Sequence, residues 1–360
     1  MAACHVGLPV QTVSLLDRLA ALVPPMQALA PALDAAAEFP SADIAALATI
    51  GLPAAPLPCD DGGLGWGTEP AAADAIREAL RLLGRGNLAV GRLFEAHVNA
   101  VRLLARCGAA AAIADAARAG QLGALWVTDP PGGGLRLEGG RLYGAKQFCS
   151  GAGHAAWAVV TATDAAGVRL ALVRMDGTVS VTPLAGGLAG MRAATTGAVR
   201  FAGTPADSFG APGDYLREPD FSTGAWRTCA VTLGGLEALV AATIAQLRTR
   251  GRAADPHQQA RIGQALIAEE TARLWVHEAA RRGEAADADP AGAVAYVNLA
   301  RLAVEQATLQ AIQLAQRALG VAAFLRPDPV ERLCRDLGVY LRQPAPDAAL
   351  TEAAAHFSPP

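Results

Sequence analysis

Residues 124–177 read ALWVTDPPGGGLRLEGGRLYGAKQFCSGAGHAAWAVVTATDAAGVRLALVRMDG. Short apolar runs containing Val, Leu, Trp and Phe alternate here with Pro- and Gly-rich punctuation, the pattern of strands joined by turns. Gly139-Gly140 and Asp176-Gly177 stand between strand-like runs, as two-residue hairpin turns do. The texture extends from about 122 to 213 and predicts a small antiparallel sheet domain.

The sequence on either side is helical. Residues 11–121 are alanine-rich and are interrupted at 52–67 by LPAAPLPCDDGGLGWG, a run that must be a loop. Thr68-Glu69-Pro70 predicts the next helix start, with a hydroxyl cap and a proline in the first turn. Beyond 222, Cys229–Leu247 is apolar around most of its circumference. Glu237 and Gln246 interrupt it and it falls short of a spanning length, so it is expected to be a buried core helix. Further helices are expected at 257–282 and at 291–319, where Leu302, Leu309, Ile312 and Leu319 share a face. Another should contain ERLCRDLGVYL, and a short one should lie in the tail QPAPDAALTEAAAHFSPP. The expected fold class is α+β, mostly α. It divides into an N-terminal helical domain (1–121), a middle antiparallel β-domain (122–213) and a C-terminal four-helix bundle (214–360).

Hydrophobic residues make up 52% of the 360, enough for an extensive core, and the net charge is −3. That balance lacks the basic surface a nucleic-acid partner needs and points to a small-molecule partner. The six cysteines (Cys4, Cys59, Cys107, Cys149, Cys229 and Cys334) are scattered with no C-x-x-C pair. Neither a metal site nor a disulfide framework is expected, and reduced thiols fit a cytoplasmic setting. The opening MAACHVGLPVQTVSLLDRLAALVPP has no basic n-region and carries Asp17 and Pro24, which argues against a signal peptide. No membrane association is expected.

Six segments, in order along nearly the whole chain, resemble the acyl-CoA dehydrogenase superfamily. LPCDDGGLGWG resembles its "P…GG.G" loop, and LGALWVTDPPGGG its "TEP" segment. LYGAKQFCSGAGHAAWAVVTA resembles the "G.K.(W/F)I(T/S)N…A" strand, and GMRAATTGAVRFAG the "G.R.S.T..V.F" pair. RGRAADPHQQARIGQALIAE resembles the helix beginning "R..FG.P…Q", and VERLCRDL the "..R.YRD" helix.

The resemblance implies FAD and a set of residues to hold it. Val127 and Thr128 would present backbone and hydroxyl groups to the pyrimidine edge of the ring. Phe148 would stand beside the ring, and Ser150 would place a hydroxyl near N5. Arg250 would serve the pyrophosphate of a neighbouring subunit's FAD, with Arg248 and Arg252 beside it. Gln316, upstream of Gly320, would lie against the adenosine part. Without the resemblance, Thr128 reads as a loop cap, Phe148 as a core aromatic and the arginines as solvated charges. Cys149 is expected to be a small core residue on the opposite side of its strand from Phe148 and Ser150.

One feature of the pattern is missing. The family places a catalytic glutamate after the "RD" helix, and counting on from Arg335-Asp336 puts Pro344 there. A minority of relatives carry the base on the first C-terminal helix, at a position matching Ala225 or Trp226 here. Asp347 is the nearest substitute base, although it also reads as the cap of the helix that follows. Arg227 is a further catalytic candidate. It precedes a buried helix and needs an anionic partner, whether substrate, flavin phosphate or a structural carboxylate. His97, in FEAHVNA, reads as a satisfied core histidine on a helix whose family counterpart borders the acyl pocket.

Three functions are compatible with this pattern. The first is an FAD-dependent dehydrogenase of an acyl-CoA or related substrate with a relocated base, placed first on the "TDP" and "GAKQF" segments. The second is a flavin-dependent monooxygenase supplied with reduced flavin by a partner reductase, and the third a non-catalytic member. The resemblance also implies a homodimer or homotetramer, and an electron-transfer partner for the dehydrogenase reading.

Overall fold

The computed structural model describes residues 10–358; Cys4 lies outside them. The chain begins with helices α1 (Val10–Ala36), α2 (Ser41–Thr49), α3 (Ala73–Gly86), α4 (Leu88–Arg106) and α5 (Ala111–Arg118). The Pro/Gly segment at 52–67 is a loop with short 3-10 turns, and it is packed into the core through Leu52, Leu57 and Trp66. The expected start at Thr68 is displaced. Its hydroxyl donates to the Pro56 carbonyl at 3.2 Å, a 3-10 turn covers Pro70–Ala72, and the α-helix begins at Ala73.

Seven strands follow: β1 (Gly123–Trp126), β2 (Arg136–Glu138), β3 (Arg141–Cys149), β4 (Trp157–Asp164), β5 (Gly167–Arg174), β6 (Val179–Pro183) and β7 (Gly197–Phe209). Five of them close a ring in which β2, β3, β7, β5 and β4 pair in turn, with β4 returning to β2. The pairing is antiparallel except that β4 receives β1 and β2 in parallel, a departure from the all-antiparallel expectation. The reason is the Pro/Gly-rich stretch after Trp126, which carries the chain away instead of reversing it beside β1. Gly139-Gly140 makes the β2–β3 hairpin, both residues with positive φ. Asp176-Gly177 does not make one. The Asp176 carboxylate caps Thr178 N at 2.9 Å, and β6 leaves to pair with β7.

Alternation along β4 sorts its side chains to two cores. Ala158, Val160 and Ala162 fill the barrel with Trp126, Leu142, Val199 and Phe201. Trp157 and Val159 face outward onto Val101, Leu104 and Ile113 of α4 and α5.

The rest is helical: α6 (Asp220–Thr223), α7 (Ala225–Thr249), α8 (Pro256–Glu284), α9 (Pro290–Leu319), α10 (Pro329–Tyr340) and α11 (Pro346–Phe357). Three of these starts share one chemistry. Asp255, Asp289 and Asp328 each precede a proline at N1 and accept backbone N–H groups of the first turn. The α7 helix is the buried core helix expected, with Leu233, Leu236 and Leu239 inaccessible. The α9 helix is buried mainly on a face beside the leucine stripe, although Leu319 of that stripe is in the core and Ile312 packs against it. Val297, Ala300, Val304, Ala307, Ala311 and Ala315 are buried, whereas Leu309 is exposed. Small side chains let α8 and α7 approach closely, which turns the bulkier Leu309 out of that contact.

Candidate functional site

The ends of β1 and β3 are locked together. Gln147 N donates to the Thr128 carbonyl at 2.8 Å, and Trp126 Nε1 donates to the Ser150 carbonyl at 3.0 Å. Gly151 N donates to the Ala194 carbonyl at 2.8 Å, which draws in the turn carrying Thr195. Val127, Thr128, Phe148 and Ser150 are therefore assembled at one corner of the barrel. The register of β3 slips between Lys146 and Cys149, and Phe148 has φ +52°. A left-handed backbone at an aromatic residue is uncommon and carries strain. Here it turns Phe148 outward, 54% exposed, so Phe148 is not a core aromatic. The slip also breaks the expected alternation, because Cys149 and Ser150 are both buried. Cys149 packs inside the barrel and burial pushes its thiol up to about 12, which suits a core residue and not a redox thiol.

Behind this corner lies a residue that sequence reasoning quoted but did not assign. Lys146 is 1% exposed. Its ammonium donates to Asp129 Oδ1 at 2.6 Å, to Thr161 Oγ1 at 2.8 Å and to the Val127 carbonyl at 3.3 Å. Thr161 Oγ1 donates to the same carbonyl at 3.3 Å. The Val127 carbonyl is thus turned inward and occupied. The remaining groups of the Val127–Thr128 segment are what the corner offers. Lysine at the third position of GAKQF was the available signal; nothing in the sequence shows that its chain turns inward.

Arg250 meets the C-terminal end of α9, the helix that carries Gln316. Arg250 bonds Gln246 Oε1 at 2.9 Å and reaches the Leu319 carbonyl at 3.5 Å, three residues beyond Gln316. Arg227 and Arg250 lie 23 residues apart on α7, roughly 34 Å at 1.5 Å per residue, too far to grip one small group within a single chain.

The two catalytic candidates do not converge. Arg227 is buried and its anionic partner is a structural carboxylate. Its Nη1 bonds Glu284 Oε1 at 2.9 Å and its Nε bonds Asn99 Oδ1 at 2.5 Å. Glu284 also accepts from Trp226 Nε1 at 3.0 Å and from Arg102 at 2.6 Å, so this network ties α4, α7 and α8 together. Asp347 lies exposed in the first turn of α11. It does not cap that helix: the cap residue is Ala345, without a side-chain bond, because the order Pro-Asp puts the carboxylate inside the first turn. The Pro344 carbonyl accepts from Arg301 at 2.6 Å, which holds the empty base position against α9.

His97 is fully buried and satisfied, as expected. Its Nε2 meets the Pro53 carbonyl at 2.8 Å and its Nδ1 accepts from Gly123 N at 3.0 Å. Burial lowers its pKa to about 4.

A second polar cluster went unread in the sequence. At the junction of α4, α7 and α10, Glu95 is 2% exposed, paired with Arg92 and Asn99, and 3.5 Å from Thr228 Oγ1. Tyr340, the last residue of α10, is nearly buried there and its hydroxyl has no partner among the described residues. Burial pushes that phenol's pKa well above its ordinary value, with Glu95 adding to the effect. Arg92, Glu95 and Asn99 share α4 at three- and four-residue spacing, but Thr228 and Tyr340 come from helices more than a hundred residues away, so spacing alone does not reveal the group.

Residues 214–341 match the acyl-CoA dehydrogenase C-terminal domain family. No curated protein matches the chain in sequence. Among solved structures it is similar to butyryl-CoA dehydrogenase from Megasphaera elsdenii, at 17% identity and TM-score 0.82, covering 98% of this chain and 99% of that one. It is also similar to KijD3 in complex with FMN and a dTDP-linked amino keto sugar, at 21% identity and TM-score 0.81, covering 98% and 95%. A nitrososynthase from Micromonospora carbonacea var. africana aligns over 100% of both chains at 19% identity and TM-score 0.82. The chain thus carries an acyl-CoA dehydrogenase C-terminal domain at residues 214–341 and has the acyl-CoA dehydrogenase fold over its whole length.

Proposed function

We propose that this chain is a flavin-dependent oxidoreductase of the reductase-fed monooxygenase type, acting on a polar small molecule and not on a fatty acyl thioester. The observation that carries the proposal is the buried cluster of Arg92, Glu95, Asn99, Thr228 and Tyr340. The resemblance puts the acyl pocket against α4. An alkyl chain brought against this group would offer the Tyr340 hydroxyl no hydrogen bond, which is costly to leave unmade. A substrate bearing hydroxyl or amino groups would satisfy that hydroxyl. Pro344 gives no carboxylate for Cα proton removal, and Asp347 is exposed on α11. Two structural relatives, KijD3 bound to FMN and a sugar nucleotide and the nitrososynthase, support the same direction.

The corner at β1 and β3 fits a flavin ring. It combines an outward aromatic (Phe148), a hydroxyl and backbone groups (Thr128, Ser150), and the buried Thr195 hydroxyl, which has no partner among the described residues. Bound flavin would supply the redox chemistry, as FMN or as FAD; Arg250 and Gln316 are the residues that would favour FAD. The protein's own part is to hold the ring edge with the Val127–Thr128 segment, to stand Phe148 beside it, and to orient a polar substrate through Tyr340 and Thr228. That ordered corner argues against a non-catalytic member. The dehydrogenase reading would need a base that neither Pro344 nor Asp347 provides.

The test is to supply reduced flavin from a reductase and follow substrate-stimulated oxygen consumption with hydroxyl- and amine-bearing compounds, sugar nucleotides included. Tyr340→Phe should raise KM about tenfold, equivalent to ~1.4 kcal/mol, with the cooperative fold retained. An unchanged KM would remove the cluster from substrate recognition.

A further inference from the structure

Lys146 does more than its packing requires. It is a cation at 1% exposure, held between three parts of the barrel: Asp129 after β1, Thr161 on β4, and the Val127 carbonyl. A neutral side chain could join these strands without desolvating an ammonium. Its partner is unequal to it, because the Asp129 side chain is 49% exposed and water screens its charge, whereas the ammonium is dry. The corner therefore carries net positive potential directly behind the Val127–Thr128 segment. Burial presses the lysine's pKa down and Asp129 holds it up, so the charge depends on that pair.

We infer that Lys146 is a positioning residue that fixes the Val127–Asp129 segment and sets a buried positive charge behind the ring edge, so that the site binds reduced flavin more tightly than oxidised flavin. The inference rests on the flavin reading above. Reduction places negative charge on the pyrimidine edge of the ring, the edge this segment would hold. A fixed cation behind it favours the reduced form, which suits a protein that receives its flavin already reduced. Thr161, by bonding both the lysine and the Val127 carbonyl, keeps that carbonyl from turning toward the ring.

The test is anaerobic titration of the wild type, Lys146→Met and Asp129→Asn with oxidised FMN and with dithionite-reduced FMN. The wild type should prefer the reduced form. In Lys146→Met the ratio of the two affinities should fall at least tenfold toward oxidised flavin, about 30 mV for a two-electron couple. Asp129→Asn removes the carboxylate that holds the lysine's proton and should lower the ratio in the same direction as Lys146→Met, increasingly as pH rises, a pH dependence that a purely structural role does not produce. If Lys146→Met fails to fold, the pH dependence in Asp129→Asn decides. Equal loss of both forms in Lys146→Met, or an unchanged ratio in Asp129→Asn, would overturn the inference. A wild type that binds neither form would overturn the flavin reading and this inference with it.

Discussion

Asp43 is buried on α2, with Oδ2 unpartnered among the described residues, and burial raises its pKa from the ordinary 3.8 to about 6. The native state holds this proton more tightly than the unfolded chain does. The group's stabilising contribution is therefore full below about pH 4 and is lost as pH rises through about 6. Asp43→Asn should raise stability at pH 7.5 by about 1–2 kcal/mol and bring no gain near pH 4, measured by urea unfolding across that range. His97 works in the opposite direction. Its folded pKa of about 4 lies below the ordinary 6.5, so its contribution is full above 6.5 and is lost as pH falls through 4. Between about pH 4 and 6 the two groups offset each other, and Asp43→Asn should expose a steeper acid limb that belongs to His97. Asp347 is a plainer case. Asp347→Ala should change stability by less than about 0.5 kcal/mol, as exposed substitutions do, and leave turnover unaltered. A large loss of turnover would return it to the role of base.

At the scale of elements, the contact between α3 and α7 depends on glycine. A Cβ on Gly234 would lie 2.0 Å from the Arg81 carbonyl, and one on Gly84 would lie 2.1 Å from the Val231 carbonyl. Both obstacles are backbone, so neither helix can yield by moving a side chain. Gly234→Ala should cost about 3 kcal/mol despite its better helix propensity, read as a lowered urea midpoint at unchanged slope. The helix starts at Asp255, Asp289 and Asp328 were legible as Asp-Pro pairs because capping is local chemistry. The buried face of α9 was not, because alanine buries too little area to outweigh a leucine stripe in a pattern, yet close helix approach selects it. The turn at Asp176-Gly177 was read as a hairpin from local composition, whereas its partner strand was chosen by β7, a pairing no local pattern records.

At the scale of the molecule, the order of helices, strands and helices and six motif segments made the fold legible. The candidate site was legible only where it is contiguous in sequence. Thr128, Phe148 and Ser150 lie in quoted motifs and meet at one corner. The Arg92–Glu95–Tyr340 cluster is assembled by α4, α7 and α10 from distant parts of the chain, and it carries the substrate argument. The central proposal, a flavin site without a C-terminal base and beside a buried polar cluster, is tested most directly by one spectrum. Purified protein is loaded with flavin and its visible absorption is followed anaerobically on addition of an acyl-CoA mixture. The account predicts a bound-flavin band that does not bleach; rapid bleaching would contradict it and restore an acyl-CoA dehydrogenase with a base elsewhere in the fold.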